Sequence, residues 1–404
     1  MVDPTLISRL ADLAVRVGVN VQPGQGIVLS ADTAHMEIAR AVAEKAYAAG
    51  AEWVDVQWDD GPIRKSRLTH APLESLRASR PWALARMAEW NQAGVAFISL
   101  TGTPDPHLFD GISPEKLAAF PMEEATAGRK AILEGGLRWT VVSAPNPGWA
   151  TEVFGRPDTD RLWSAVATAM RLDEDDPVAA WRDRAAELAA RAKALDALEL
   201  TEVHYTAPGT DLRVGLVPGT RWTGGGMVDA GGFAYMPNIP TEEVFTSPDR
   251  RRADGRIRLT KPVVILGQLV EGLELMFSHG RITGASARSG GDVVLAALES
   301  DEGARSLGEV SLVDRHSRIA KAGIVFHNTL FDENAGCHVA WGASFPFSVE
   351  NGLAMSDDER FELGLNRSVV HTDVVIGGAG MTVKGTGPRG IVEIIRDDDW
   401  VLPV

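Results

Sequence analysis

Pro23-Gly-Gln-Gly-Ile-Val-Leu-Ser30, the alanine-rich run from Met36 to Ala49, Gly50, and then Trp53-Val-Asp-Val-Gln-Trp58 form one continuous unit near the start of the chain. Pro23 to Gly26 reads as a turn, and Ile27 to Ser30 as a short apolar strand. The periodic run that follows is helical and stops at Gly50. Trp53 to Trp58 alternates in polarity, as a strand does. A strand, a helix and a second strand in this order imply a crossover connection and a parallel sheet, so the chain opens as an α/β domain.

The same pattern extends outward. Leu6, Leu10, Leu13, Ala14 and Val17 give residues 5–18 one apolar helical face. Residues 82–92 read as a helix and Gly94 to Leu100 as a strand. Ser113 and Pro114 supply an N-cap and a first-turn proline for a helix running to Arg129. Trp139 to Ser143 is a fourth strand, ended by Pro145-Asn-Pro147, and helices are expected over 159–171 and 178–195. The acidic run Asp173 to Asp176 between them lacks the alternating ligands and central glycine of a calcium loop and reads as a solvated connection.

After about residue 196 the texture changes. Leu198 to Leu216 alternates around a turn at Pro208 to Asp211, and Gly224-Gly-Gly226 and Ala230-Gly-Gly232 follow. The triple glycine lacks the spacing of either nucleotide-binding motif and reads as tight turns or close backbone approach. Further strands are expected at Val263–Gln268, Ile282–Ser286, Ala322–His327, Val369–Ile376 and Ile391–Ile395, with a helix at Asp292–Glu299. The expected organisation is therefore an α/β N-terminal domain with a parallel sheet (1–195) and a strand-rich α+β C-terminal domain (196–404).

Composition narrows the class. A chain of 404 residues that is 45% hydrophobic can fill two cores. Its net charge of −15 disfavours nucleic-acid partners, and its single cysteine, Cys337, rules out an internal disulfide. No apolar stretch suits a membrane span, and Met1 to Leu10 lacks the pattern of a signal peptide, so the expectation is a cytoplasmic protein with no membrane partner.

Chemistry concentrates between Asn238 and Asp373. His371 and Asp373 are two apart in a strand-like run and so share a face. Glu242 and Glu243 enter a strand and should point opposite ways. Glu309 is a lone carboxylate among Leu307, Gly308, Val310 and Leu312, while Asp332, Glu333 and His338 crowd around Gly336. Carboxylates and imidazoles in short, glycine-punctuated segments suit a hydrolytic metal centre. Taken singly, each of these residues also has a structural reading, and Cys337 reads as a small buried hydrophobe rather than a ligand.

Read jointly, the blocks resemble the aminopeptidase T family of thermophilic-type metallo-aminopeptidases (M29). The likeness runs over nearly the whole chain. Its specific part is Asn-Ile-Pro-Thr-Glu-Glu-Val-Phe-Thr246, Leu-Gly-Glu-Val310, Asn-Thr-Leu-Phe-Asp-Glu-Asn334, the string opened by His338, and Asn366 to Asp373. The resemblance implies that Glu243, Glu309, Glu333, His338, His371 and Asp373 are metal ligands, with Glu243 and Glu309 also candidates for catalytic roles. It implies two divalent ions (zinc, cobalt, manganese or magnesium), removal of the N-terminal amino acid from peptides by metal-activated water, substrates with a free N-terminus, and a homodimer. The family has glycine where this chain has Glu242. It also has a tyrosine near the metals where this chain has Phe345, which bears on catalytic rate. Two alternatives remain open at this stage. One is a metal-binding, peptide-binding homologue with weak or lost catalysis; the other is a small-molecule metallo-amidase.

Overall fold

The computed structural model describes residues 3–404 apart from 103, 106, 118, 134–136, 230 and 267. The chain folds into two compact units. Met1–Asp183 with Gly226–Pro240 form the first, and Arg184–Gly225 with Thr241–Val404 the second. The expected change of texture at 196 thus lies twelve residues beyond this division, within the helix Pro177–Asp196, and residues 226–240 return to the first unit.

The first unit holds a five-stranded parallel sheet. Its strands, in spatial order, are Asn238–Ile239, Arg138–Ser143, Ala96–Thr101, Gly26–Asp32 and Trp53–Asp59. Gly26–Asp32 is almost wholly buried, as an inner parallel strand must be. The opening helix is α-helical over Pro4–Leu13 and continues as a π-turn over Ala14–Gly18. The helix expected from Pro114 to Arg129 is instead two helices, Pro114–Leu117 and Met122–Leu133. Pro121 lies between them and disfavours helical backbone in the residue before it. Ala118 in this span, and Ala230 of the expected glycine turn, lie outside the described residues. Among the described residues no helix is long and apolar enough to cross a membrane.

The second unit contains two larger antiparallel sheets. One has eight strands and includes the expected hairpin, Glu202–Ala207 with Thr210–Leu216. The other runs, in spatial order, His371–Val375, His338–Gly342, Leu307–Leu312, Val244–Thr246 and Thr223–Gly224. Val244, Val310, Val339, Trp341 and Val374 turn one face of that sheet into a core shared with Tyr205, Leu212 and Phe277. Gly225 has φ +78°, and a Cβ there would stand 2.0 Å from the Ala185 carbonyl oxygen. Close backbone approach is therefore what the triple glycine provides.

Two expected strands differ. Val263–Gln268 is a small hairpin, Val263–Ile265 paired with Gln268–Val270, whose Gly267 lies outside the described residues. Ala322–His327 is not a strand. Ser317 caps a helix over Arg318–Ala322, Gly323 closes it at φ +62°, and the chain then wraps Asp332. The Asp332 carboxylate accepts from the backbone N–H groups of Phe326 (2.7 Å) and Asn328 (3.0 Å). These are local side-chain bonds that replace a ladder.

Candidate metal centre

Strand register assembles the site. Side chains alternate along each strand, and directly paired residues share a face. Phe245 pairs with Ser311, so Phe245, Ser311 and Glu309 lie on one face. Glu309 pairs with Ala340, which places His338 there too, and Ala340 pairs with Asp373, which adds Asp373 and His371. The opposite face is the valine core. Glu309 is thus the central carboxylate of a polar face rather than an anomaly in an apolar strand.

Contacts between these side chains are close. His338 Nε2 stands 2.9 Å from Glu243 Oε2 and 3.5 Å from Glu309 Oε1. His371 Nε2 stands 3.3 Å from Glu309 Oε2 and 3.5 Å from Asp373 Oδ1. Two three-residue donor groups result, Glu243–Glu309–His338 and Glu309–His371–Asp373, each with its ligand atoms within 4.8 Å of one another. Glu309 belongs to both. Glu333 is buried beside them but lies outside both groups.

The surroundings fix these donors. Ser311 Oγ donates to Glu243 Oε2 at 2.7 Å. His371 Nδ1 is 2.8 Å from the Ala343 carbonyl oxygen, which can only accept, so Nδ1 carries the proton and donates. His338 Nδ1 faces the Gly336 carbonyl at 3.3 Å. Both rings therefore turn Nε2 toward the carboxylates, the outer bonding that orients metal-ligating imidazoles. Asn334 ties two blocks together. Its Oδ1 accepts from the Glu242 N–H at 2.6 Å, and its Nδ2 lies 3.4 Å from Glu333 Oε1.

Electrostatics follow from burial and crowding. Burial pushes the Glu243 carboxyl up from its usual range, against the pull of His338. Glu333 is driven well above that range by burial and then by Asp373 and Glu243. Burial disfavours charge on both imidazoles, yet the facing carboxylates outweigh it and hold His338 and His371 well above the ordinary imidazole value. Burial likewise opposes ionisation of Asp373, but His371 prevails and holds it low. A buried group of carboxylates that retains protons on its own imidazoles is suited to replacing them with divalent cations. The mixed oxygen and nitrogen donors fit such ions.

Glu242 and Glu243 do point opposite ways. Glu242 meets Arg184 at 2.7 Å, and Arg184 also meets Glu187 at 2.7 Å. Both Glu242 and the Arg184 side chain are largely buried. Arg184→Ala should therefore cost roughly 3–5 kcal/mol, because it takes the guanidinium away from a buried carboxylate. Denaturant unfolding measures this, and a loss below about 1 kcal/mol would show that the pair is dispensable. Asp332 accepts from two backbone donors and lines a slot together with Glu333 and Asp373. Cys337 is fully buried in the core, its thiol pushed up to about 12 chiefly by burial, which agrees with a hydrophobic role.

Four neighbours were not singled out as site residues by the sequence: Ser311, Asn334, Phe245 and Phe347. Strand register alone could have found the first and third, since each pairs onto the face that carries Glu309.

A sheet face bearing clustered carboxylates and imidazoles has the donor set that metal-dependent hydrolases use. The profile of the thermophilic metalloproteases (M29) matches residues 4–400, and the chain belongs to that family. It is 38% identical to aminopeptidase PepS of Streptococcus thermophilus and 39% identical to aminopeptidase T of Thermus aquaticus, with 98% of both chains covered in each case. The solved structure of wild-type AmpT from Thermus thermophilus superposes with a TM-score of 0.90 at 36% identity, over 98% of this chain and 99% of that one.

Proposed function

We propose that the chain is a metal-dependent aminopeptidase whose Glu243, Glu309, Glu333, His338, His371 and Asp373 hold two divalent cations. The observation that carries this reading is the place of Glu309 in both donor groups, where a carboxylate can serve two ions at once. Glu333 completes the set. It is buried, and Asp373 and Glu243 oppose its charge further, so a nearby cation would relieve that crowding. Zinc, cobalt, manganese and magnesium are the candidates, with the imidazoles favouring zinc or cobalt. When bound, such ions polarise a peptide carbonyl and lower the pKa of water.

The protein's own groups supply position and proton handling. Ser311 holds Glu243 in place. Glu243, held by Ser311 and facing His338, is our candidate to take a proton from water and pass it to the leaving amine. A narrow slot of about 20 Å³ is bordered by His327, Asn328, Thr329, Asp332, Glu333 and Asp373, with Val263, Val264 and Leu269 along one side. Its size suits one water-sized group. We assign it to the α-ammonium of the substrate, with Glu333 and Asp373 as the charge partners. That assignment makes a free N-terminus a requirement and favours an exopeptidase over an amidase. The proposal includes a homodimer acting in the cytoplasm, which sedimentation and cell fractionation check.

The test loads chelated protein with zinc, cobalt or manganese and supplies aminoacyl amides and their N-acetylated forms. Turnover is expected only with metal and only on free amines. Hydrolysis of the blocked amides would instead favour the amidase, and bound metal without turnover a binding protein.

Phe345 places no phenol beside His371; the two rings lie 5.0 Å apart. Phe345→Tyr adds a donor for developing negative charge and should raise kcat several-fold, of the order of 1 kcal/mol. Unchanged kinetics would mean that a phenol is dispensable in this enzyme.

A further inference from the structure

Beside the donor cluster stands an aromatic wall. Phe345 and Phe347 stack with centroids 5.1 Å apart and planes 20° apart. Phe245 meets both edge-on, at 5.6 Å and 6.2 Å. All three rings are only partly buried. The backbone of the wall is also tied down. The Phe345 N–H donates to Ser247 Oγ at 2.9 Å, Ser348 Oγ donates to the Phe345 carbonyl at 2.6 Å, and Pro346 fixes the turn. Three clustered phenylalanines left partly open next to charged groups form a preformed apolar surface, the usual lining of a side-chain subsite.

Position along the His371–Val375 strand says which side chain it receives. The slot assigned to the α-ammonium borders Asp373 and Val375, whereas the wall adjoins His371. Two residues of strand separate Asp373 from His371 by roughly 7 Å. A peptide anchored by its ammonium at the first point carries its scissile carbonyl over the donors. Roughly one further residue length, about 3.8 Å per residue, brings its second residue to the wall.

We propose that Phe245, Phe345 and Phe347 form the subsite for the side chain of the substrate's second residue, just after the scissile bond, and select apolar residues there. This rests on the aminopeptidase reading above.

The experiment compares kcat/KM on metal-loaded protein for Ala-Xaa amides (Xaa Phe, Leu, Gly, Asp, Lys) and for Xaa-Ala amides. Ala-Phe and Ala-Leu should exceed Ala-Asp by roughly 10–100-fold, a range typical of apolar subsites. Phe347→Ala should lower the Ala-Phe to Ala-Gly ratio about tenfold, mainly through KM, and Phe347→Leu should restore most of it. Selectivity that follows the N-terminal residue instead, with a flat Ala-Xaa series, would overturn the proposal. An equal fall on every peptide with loss of bound metal would reduce Phe347 to a structural part and overturn it as well. Failure of all free-amine peptides while ions remain bound would defeat the aminopeptidase reading itself and this proposal with it. Selectivity data from an active enzyme are what separate the two failures.

Discussion

Glu309→Gln is expected to lower kcat/KM by roughly a thousandfold or more and to leave the protein without either tightly held ion. The loss corresponds to about 4 kcal/mol of transition-state stabilisation, within what polarisation by bound cations supplies. Gln keeps the size of the side chain but removes its charge. The two oxygens of Glu309 face different imidazoles, Oε1 toward His338 and Oε2 toward His371. One substitution therefore strikes both donor groups, whereas His338→Ala or His371→Ala strikes one each. Metal analysis after gel filtration should accordingly give about two ions per chain for the unaltered protein, about one for each histidine variant and none for Glu309→Gln, if affinity follows ligand number and charge. Two ions retained by Glu309→Gln, with turnover, would exclude the shared carboxylate. A melting temperature close to that of the chelated parent would show that the variant still folds.

Much of this site was legible in the sequence, for reasons that can be traced residue by residue. The period-two spacing of His371 and Asp373 put both on one face, and the structure keeps them within 3.5 Å. The divergence of Glu242 and Glu243 followed from extended backbone and is seen in the pairing of Glu242 with Arg184. Glu309 was the harder case. Only its register against Ala340 and Ser311's pairing with Phe245 show that its face is polar, and register is a long-range property that one strand's own sequence does not encode. The aromatic wall was hidden for the same reason, since Phe245 and Phe347 are about a hundred residues apart. The segment 322–327 misled because its apolar run has the composition of a strand, while the side chain of Asp332 captures its backbone donors. The return of residues 226–240 to the first unit was likewise invisible, because Asn238–Ile239 completes a parallel sheet begun two hundred residues earlier.

Removing the ions should abolish turnover and expose an opposite pH dependence in the protein's stability. Glu243, Glu333, His338 and His371 all have pKa values raised above their ordinary ranges. Each therefore binds protons in the folded chain at pH values where the unfolded chain has lost them. Stability falls with pH wherever the native state holds the extra protons, so the chelated protein should weaken from the ordinary carboxylate range upward, through the ordinary imidazole range and beyond. Asp373 is shifted the other way, and its contribution is lost only as pH drops through its lowered value, below the ordinary carboxylate range. Cation binding needs those same imidazole protons gone, so stabilisation by metal grows as pH rises. At a free metal concentration a thousand times Kd the gain is about 4 kcal/mol, which for a unit of this size is roughly 8–16 °C in melting temperature. The gap between loaded and chelated protein should thus widen from the ordinary imidazole range upward, toward the raised values at which His338 and His371 give up their protons. A gap that stays constant across that range would mean that the imidazoles do not exchange protons for metal, and His338 and His371 would lose their place as ligands. A gap that widens with pH in Glu309→Gln as well is incompatible with the shared carboxylate, because that variant should show none.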